Sequence, residues 1–242
     1  MNDHQLAAWL AEWAGQLLTN LRDGELEPVA LGYVADQTAN AFLLSALKML
    51  RPDDHILSEE SPDQLDRLGA ERVWIVDPLD GTREYTEGRD DWAVHVALSI
   101  GGEPVAGAVA QPGRGRLACT QPASPPPERS GVPVMIVSRS RAPEASLALA
   151  SALGAELREM GSAGAKVMAV IAGEADIYFH AGGQYEWDNC APVAVALAAG
   201  LHASRIDGAP LRYNCEDPLL PDLLICRPEL APRVLELIGA QR

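Results

Sequence analysis

The sequence predicts an α/β protein of two lobes. Three observations carry this expectation: two stretches of helical apolar spacing open the chain, short apolar runs bounded by glycine and proline follow, and beyond a proline-rich segment strand-like and helix-like patterns alternate. At 242 residues the chain is long enough to bury a large core, either as one big domain or as two lobes sharing a cleft.

The first helix is marked by Leu6, Leu10, Trp13, Leu17 and Leu21 at helical spacing; with Asp3 and Glu12 among them, this is an amphipathic helix rather than a secretory signal. A second helix over 34–50 places Leu43, Leu44, Leu47 and Leu50 on one side and Asp36 in its first turn. The apolar run 73–76 ends in Asp77-Pro78, which suits a buried strand delivering an acid at its carboxyl end. Segments 92–100 and 103–110 flank Gly101-Gly102, a hairpin signal. Pro122, Pro125, Pro126, Pro127 and Pro133 exclude a helix or an interior strand over 121–133. That stretch is the expected boundary between a lobe over 1–125, carrying most metal ligands, and a lobe over 132–242. Beyond it the pattern predicts a strand over 134–137, a helix over 145–153, a helix over 162–172 ended by Gly173, a strand near 175–179, and a helix over about 189–199 capped by Gly200.

A composition of 48% apolar and 22% charged residues sets aside disorder. The 19 basic and 34 acidic side chains give a formal charge of −15, which excludes a nucleic-acid polymer as partner. A small phosphorylated substrate stays open, because divalent cations invert the local charge of a carboxylate-rich site. The longest apolar stretch, 191–201, falls short of the roughly 20 residues that span a bilayer and contains Pro192. No membrane span is expected, and the protein is read as cytoplasmic. The four cysteines show no Cys-x-x-Cys spacing, so they read as reduced structural thiols rather than as a disulfide or zinc framework.

The sharpest chemical feature is Asp77-Pro78-Leu79-Asp80-Gly81-Thr82. Pro78 fixes a tight turn, so that two carboxylates and the Leu79 carbonyl can converge on one hard, oxygen-seeking cation. Gly81 permits close backbone approach to a phosphate, and Thr82 offers a hydroxyl and an N–H at the start of a helical turn. Asp80 or Thr82 alone reads equally as a turn cap. Glu59-Glu60, as adjacent acids, ordinarily mark a solvated surface and gain weight only beside Asp77 and Asp80. Asp188, just before the Pro192 helix, is an N-cap, a carboxylate at a positive helix end, or both. Asp36 by itself is a helix-start acid.

Taken together, Glu59-Glu60, the hexapeptide 77–82, and Trp187-Asp188 with Ala191-Pro192 resemble, in order and separation, the paired signature of the inositol monophosphatase superfamily, over most of the chain. The resemblance implies a layered α-β-α-β-α sandwich of the sugar-phosphatase type, a cleft between the lobes, a homodimer, lithium sensitivity and two to three magnesium ions. It implies that Glu59, Asp77 and the Leu79 carbonyl hold one ion, that Asp77, Asp80 and Asp188 hold a second, and that a weaker third shares Glu59; Glu60 is not assigned. The implied chemistry is two-metal hydrolysis of a phosphate monoester. Thr82 and Asp36 match the pair that orients and deprotonates the attacking water.

Further matches point to the CysQ-like 3′(2′),5′-bisphosphate nucleotidase branch, which hydrolyses 3′-phosphoadenosine 5′-phosphate to AMP in sulfur assimilation. Arg83-Glu84-Tyr85 follows the hexapeptide, and Val137-Ser138-Arg139-Ser140 is similar to a segment of that branch, with Arg141 where a His is common. The stretch Gly161-Ser162-Ala163-Gly164-Ala165-Lys166 resembles the loop that gives Ser162 and Lys166 to a second anionic group. An N-cap and a snorkelling surface Lys are the plainer reading of that pair. His180 stands where the inositol enzymes place a Glu; a cationic His suits a phosphate better than a polyol, although a lone His is often structural. An inositol monophosphatase or fructose-1,6-bisphosphatase of broad specificity is the alternative. An aspartyl-phosphate mechanism is disfavoured because it wants a second acid two residues after the first, whereas Asp80 stands three after Asp77 with Pro78 between. A binding protein without turnover should have lost one of the acids or Thr82, and all are present.

Overall fold

The computed structural model describes residues 1–24, 26–139 and 144–240, so Ser140 and Arg141 lie outside the described residues. Helix α1 (Asp3–Arg22) opens with a reciprocal cap, in which Asn2 Oδ1 accepts the Gln5 N–H and Gln5 Oε1 accepts the Asn2 N–H. Helix α2 (Pro28–Leu50) starts six residues earlier than the apolar pattern indicates. Pro28 supplies the start signal, while Val29 and Tyr33 face outward and so contribute no buried stripe. Asp36 consequently lies in the third turn, not the first.

Strands β1 (His55–Ser58), β2 (Arg72–Asp80), β3 (Ala93–Ile100), β4 (Glu103–Gln111) and β5 (Arg116–Cys119) form the first sheet in that order. β1 runs parallel to β2 and the other pairs are antiparallel. Gly101 and Gly102 have φ of 58° and 83°, the two positive values that a tight hairpin turn requires. A short helix α3 (Thr82–Thr86) follows β2.

The second sheet contains β6 (Val134–Ser138), β7 (Glu156–Met160), β8 (Ile177–Tyr185), β9 (His202–Ser204) and β10 (Leu219–Cys226), in the order β7-β6-β8-β10-β9. β6 is parallel to β7 and β8, and β10 is antiparallel to β8 and β9. The remaining helices are α4 (Glu144–Leu153), α5 (Ala163–Ile171), α6 (Glu186–Ala198) and α7 (Ala231–Gly239). No helix or strand lies between Cys119 and Val134, the proline-rich stretch.

Helices α1 and α2 cover one face of the first sheet, α5 and α6 fill the space between the sheets, and α4 and α7 close the far face of the second. This is the α-β-α-β-α order. Alternation along the strands builds it: Trp74, Val76, Val94, Val96 and Leu98 face α1 and α2, while Val73, Ile75, Ala93 and Ala97 face the inner helices. Odd-numbered positions of β2 and β3 therefore point inward.

That parity matters at the end of β2. Asp77 is odd and inward, and a plain strand would turn Asp80 outward. Instead the register slips: Asp77 pairs with His95 and Asp80 with Ala93, so three steps on β2 match two on β3. This bulge returns Asp80 to the inner face, beside Asp77. The spacing of three in the hexapeptide is what a bulged strand needs to put both acids on one side.

Leu223 on β10 is fully buried in the inner core, whereas Leu219 on the same strand is 46% exposed. Leu223→Ala should cost about 2–5 kcal/mol in urea unfolding, and Leu219→Ala should stay within about 0.5 kcal/mol of the parent.

Candidate metal and phosphate site

The site forms where the bulged end of β2 meets the first turns of α5 and α6. Asp77 has no exposed surface, and its Oδ1 accepts the Leu79 N–H at 3.0 Å, which closes the Asp-Pro turn. Gly81 follows with φ of 91°, and a Cβ there would press on Ser162 Cβ at 3.2 Å. Thr82 Oγ1 lies 3.2 Å from both Asp36 Oδ2 and the Leu79 carbonyl oxygen, so its single proton is shared between two acceptors. Tertiary packing thus brings Asp36 to Thr82 across 46 residues of chain.

Glu59 sits just beyond β1, its N–H bonded to the Val76 carbonyl at 3.3 Å. Its carboxyl group is raised by burial and by the neighbouring Asp80 and Glu60 charges. The Glu60 carboxylate instead accepts Gln37 Nε2 at 2.6 Å, which ties it to α2. Asp188 lies in the first turn of α6, where Tyr185 N–H donates to its Oδ2 at 2.7 Å. It is a first-turn carboxylate, and Tyr185 is the N-cap residue.

The electrostatics divide the acids. Burial, followed by the Asp80 charge, pushes Asp188 up to about 7. Burial, then Glu60 and Glu59, push Asp36 to about 7 as well. Asp77 is driven well above the usual carboxylate range by burial and by Glu59, Asp80 and Asp188. Asp80 is the exception: burial would raise it, but His95, Ser162 and Lys166 together hold it below its ordinary value.

Two segments supply that support, β3 through His95 and the start of α5. Ser162 Oγ donates to Asp80 Oδ2 at 2.5 Å and Gly164 N–H to the same oxygen at 2.8 Å. The α5 N-terminus, expected from sequence to receive a substrate anion, thus receives Asp80. Ser162 does cap α5, accepting Ala165 N–H at 3.0 Å, but its hydroxyl proton is committed to the protein. Lys166 is buried and does not snorkel: Nζ donates to the Ser162 carbonyl at 2.8 Å and lies 5.2 Å from the Tyr178 ring centroid. Burial lowers its pKa despite the surrounding acids.

Asp80, Gly81, Lys166, His180, Asp188 and Arg139 line one cleft of about 240 Å³. His180 Nε2–H donates to the Gly183 carbonyl at 2.9 Å, and burial lowers its pKa, which disfavours the cationic form that suits a phosphate. Arg139 Nη2 reaches Glu84 Oε1 at 2.8 Å and Glu87 Oε2 at 2.9 Å. Asp91, itself gripped by Arg89, accepts the Gly161 N–H at 2.7 Å and holds the loop before α5.

His95 is the residue that sequence reasoning missed. Fully buried on β3, it has Nε2 3.2 Å from Asp80 Oδ2, and its Nδ1 is 3.0 Å from the Trp187 carbonyl. Asp77, Asp80 and His95 together offer ligand atoms within 4.8 Å of one another. A polar residue at an inward position between Ala93 and Ala97 was the available signal. The donor set fits a hard divalent cation: the carboxylates converge, and Asp77 Oδ2 and Asp36 Oδ1 are buried with no hydrogen-bond partner.

A sequence model of the inositol monophosphatase family matches residues 7–240. The chain belongs to that family. It is 50% identical to the 3′-phosphoadenosine 5′-phosphate phosphatase of Mycobacterium bovis over 93% of this chain and 89% of the other. It is 31% identical to the 3′(2′),5′-bisphosphate nucleotidase CysQ of Escherichia coli, over 77% of this chain and 80% of the other. The solved CysQ of Bacteroides thetaiotaomicron superposes with a TM-score of 0.82 at 25% identity, covering 92% of this chain and 96% of that one. No helix among the described residues is long and apolar enough to cross a membrane.

Because Asp36 and Asp188 bind protons more tightly in the folded chain than in the unfolded one, stability of metal-stripped protein should fall as pH rises from about 4 through 7. Thermal melts in EDTA between pH 5 and pH 8 check this, and Asp188→Asn should flatten the slope. A Cβ on Gly164 would lie 2.2 Å from His95 Nε2, so Gly164→Ala should destabilise by about 1–3 kcal/mol through overpacking, read by urea unfolding.

Proposed function

We propose that this chain is a magnesium-dependent phosphomonoesterase that hydrolyses 3′-phosphoadenosine 5′-phosphate to AMP and phosphate. The observation that carries the reading is the bulged end of β2, which turns Asp77 and Asp80 to one side next to Asp188, in a cleft whose other wall carries Lys166 and Arg139. Acids suited to a cation stand beside fixed positive charge suited to a second phosphate. The 50% identity to a mycobacterial enzyme named for this substrate supports the choice over inositol phosphate or fructose 1,6-bisphosphate.

In this reading Glu59, Asp77 and the Leu79 carbonyl hold one magnesium ion, Asp77, Asp80 and Asp188 hold a second, and a third shares Glu59. Bound magnesium supplies Lewis-acid stabilisation of phosphoryl charge and lowers the pKa of water. Thr82 Oγ1 orients the attacking water, and the Asp36 carboxylate, hydrogen-bonded to Thr82, accepts its proton. Gly81 lets the backbone approach the scissile phosphate, and Lys166 anchors the second phosphate electrostatically. Ser162 acts by holding Asp80, and His180 by shaping the cleft. Tyr185, 45% exposed and stacked on Trp187 at 4.7 Å, offers a flat face for a base beside Asp188. Residues 1–125 and 132–242 are the two lobes about this cleft, and the family resemblance supports a cytoplasmic homodimer, which light scattering checks.

Phosphate release should require magnesium, stop in EDTA, and show a higher kcat/KM on 3′-phosphoadenosine 5′-phosphate than on inositol 1-phosphate or fructose 1,6-bisphosphate. Equal rates on the three would replace the nucleotide reading with a broad sugar phosphatase. Asp80→Ala and Asp188→Ala should each reduce kcat by about 10³-fold or more, the several kcal/mol expected of a lost metal ligand. Lys166→Ala should lose more on the nucleotide than on inositol 1-phosphate; equal losses would remove Lys166 from substrate selection.

A further inference from the structure

The chemistry proposed for the cleft has no use for the buried imidazole of His95, yet the ring touches the end of β2 and the first turns of α5 and α6. Its Nδ1–H donates to the Trp187 carbonyl at 3.0 Å, because a carbonyl only accepts. Its Nε2 lies 3.2 Å from Asp80 Oδ2. Across the strand pair it faces Asp77, whose Oδ2 is 3.9 Å from Nδ1. From the other side α5 is pressed against it so closely that only a glycine fits at position 164, and the N–H of that glycine holds the same Asp80 oxygen.

An imidazole is a rigid plane, so a group bonded at one edge and a group in contact with the other are kept at a set separation. The group in contact here is Asp80, 3.2 Å from Nε2. The other is the carbonyl of the residue immediately before Asp188, in the first turn of α6. An apolar side chain would fill the same space, as Val94 and Val96 do on the opposite face, but would leave the start of α6 untied to the sheet. We propose that His95 is a positioning residue of the cation site, locking the first turn of α6 to the end of β2 so that Asp80 and Asp188 meet a divalent cation at a fixed separation. This rests on the reading of Asp80 and Asp188 as ligands of one cation.

The test is magnesium titration of the EDTA-stripped full-length protein by calorimetry, with thermal melts of the same samples. An Asn amide can place a donor near the position of Nδ1, and a Gln amide near that of Nε2. His95→Ala should weaken magnesium binding by about 10–100-fold, the range seen when a residue supporting a metal ligand is removed. His95→Asn should recover most of that loss, although it melts lower than the parent, and His95→Gln should not. Wild-type affinity in His95→Ala, equal losses in Ala and Asn, or rescue by Gln in place of Asn would each overturn the proposal. If His95→Ala does not fold, the comparison of Asn with Gln decides: tighter binding by Asn supports the link to α6, and equal or weaker binding overturns it. Parent protein that binds no magnesium overturns the underlying reading as well. Parent protein that binds, with binding lost in Asp188→Ala, keeps that reading and leaves His95 to be judged by its own variants.

Discussion

Mutual repulsion among carboxylates gathered at the end of one buried strand is the constraint around which the centre of this protein is built. Two unit charges about 4 Å apart interact by about 4 kcal/mol at the effective dielectric near a protein surface. The charges of Asp77, Asp80, Asp188 and Glu59 all bear on one another. Left to the hydrophobic effect alone, that arrangement would be expelled to solvent. It survives because one of the acids is stabilised by the protein and the others carry their protons easily or are suited to share a cation. Asp80 takes a hydroxyl, a helix N–H and a nearby imidazole, while Asp77 and Asp188 keep raised pKa values.

The middle layer of helices follows from this. α5 directs its N-terminus at Asp80, so its dipole is spent inside the protein, and the positive charge left for substrate comes from side chains such as Lys166. α6 presents Asp188 from its first turn, where the same dipole favours a carboxylate. The start of α5 must come very near α3 and the first sheet, and glycine makes this feasible: a Cβ at Gly161 would fall 2.3 Å from Glu84 Cγ, and one at Gly164 2.2 Å from His95 Nε2. The close approach that forms the cleft is written in residues that have no side chain.

Much of the fold was legible in the chain. The Gly101-Gly102 hairpin, the buried run before Asp77 and the helices of the inner layer all appear where the patterns put them, because each is set by local spacing. Other elements gave little signal. β10 carries Pro221 and Asp222 at a register shift, β8 continues through Gly182-Gly183, and β7 is an exposed polar edge. These strands exist because a neighbour pairs with them. The early start of α2 was hidden for the opposite reason, since its first turns face outward.

The sequence by itself determined the family, the acids of the hexapeptide, and the alternation that sorts strand residues between two core layers, since these depend on residue type and on separations along the chain. Tertiary structure alone decided that Asp36 would meet Thr82, that Ser162 would serve Asp80, and that burial would disfavour the charged form of His180. It also decided that a histidine at an inward strand position would sit between the sheet and the α6 turn bearing Asp188. Those outcomes depend on burial and on distances between segments remote in sequence, and Coulomb interactions and hydrogen bonds respond to distance in space, not to position in the chain.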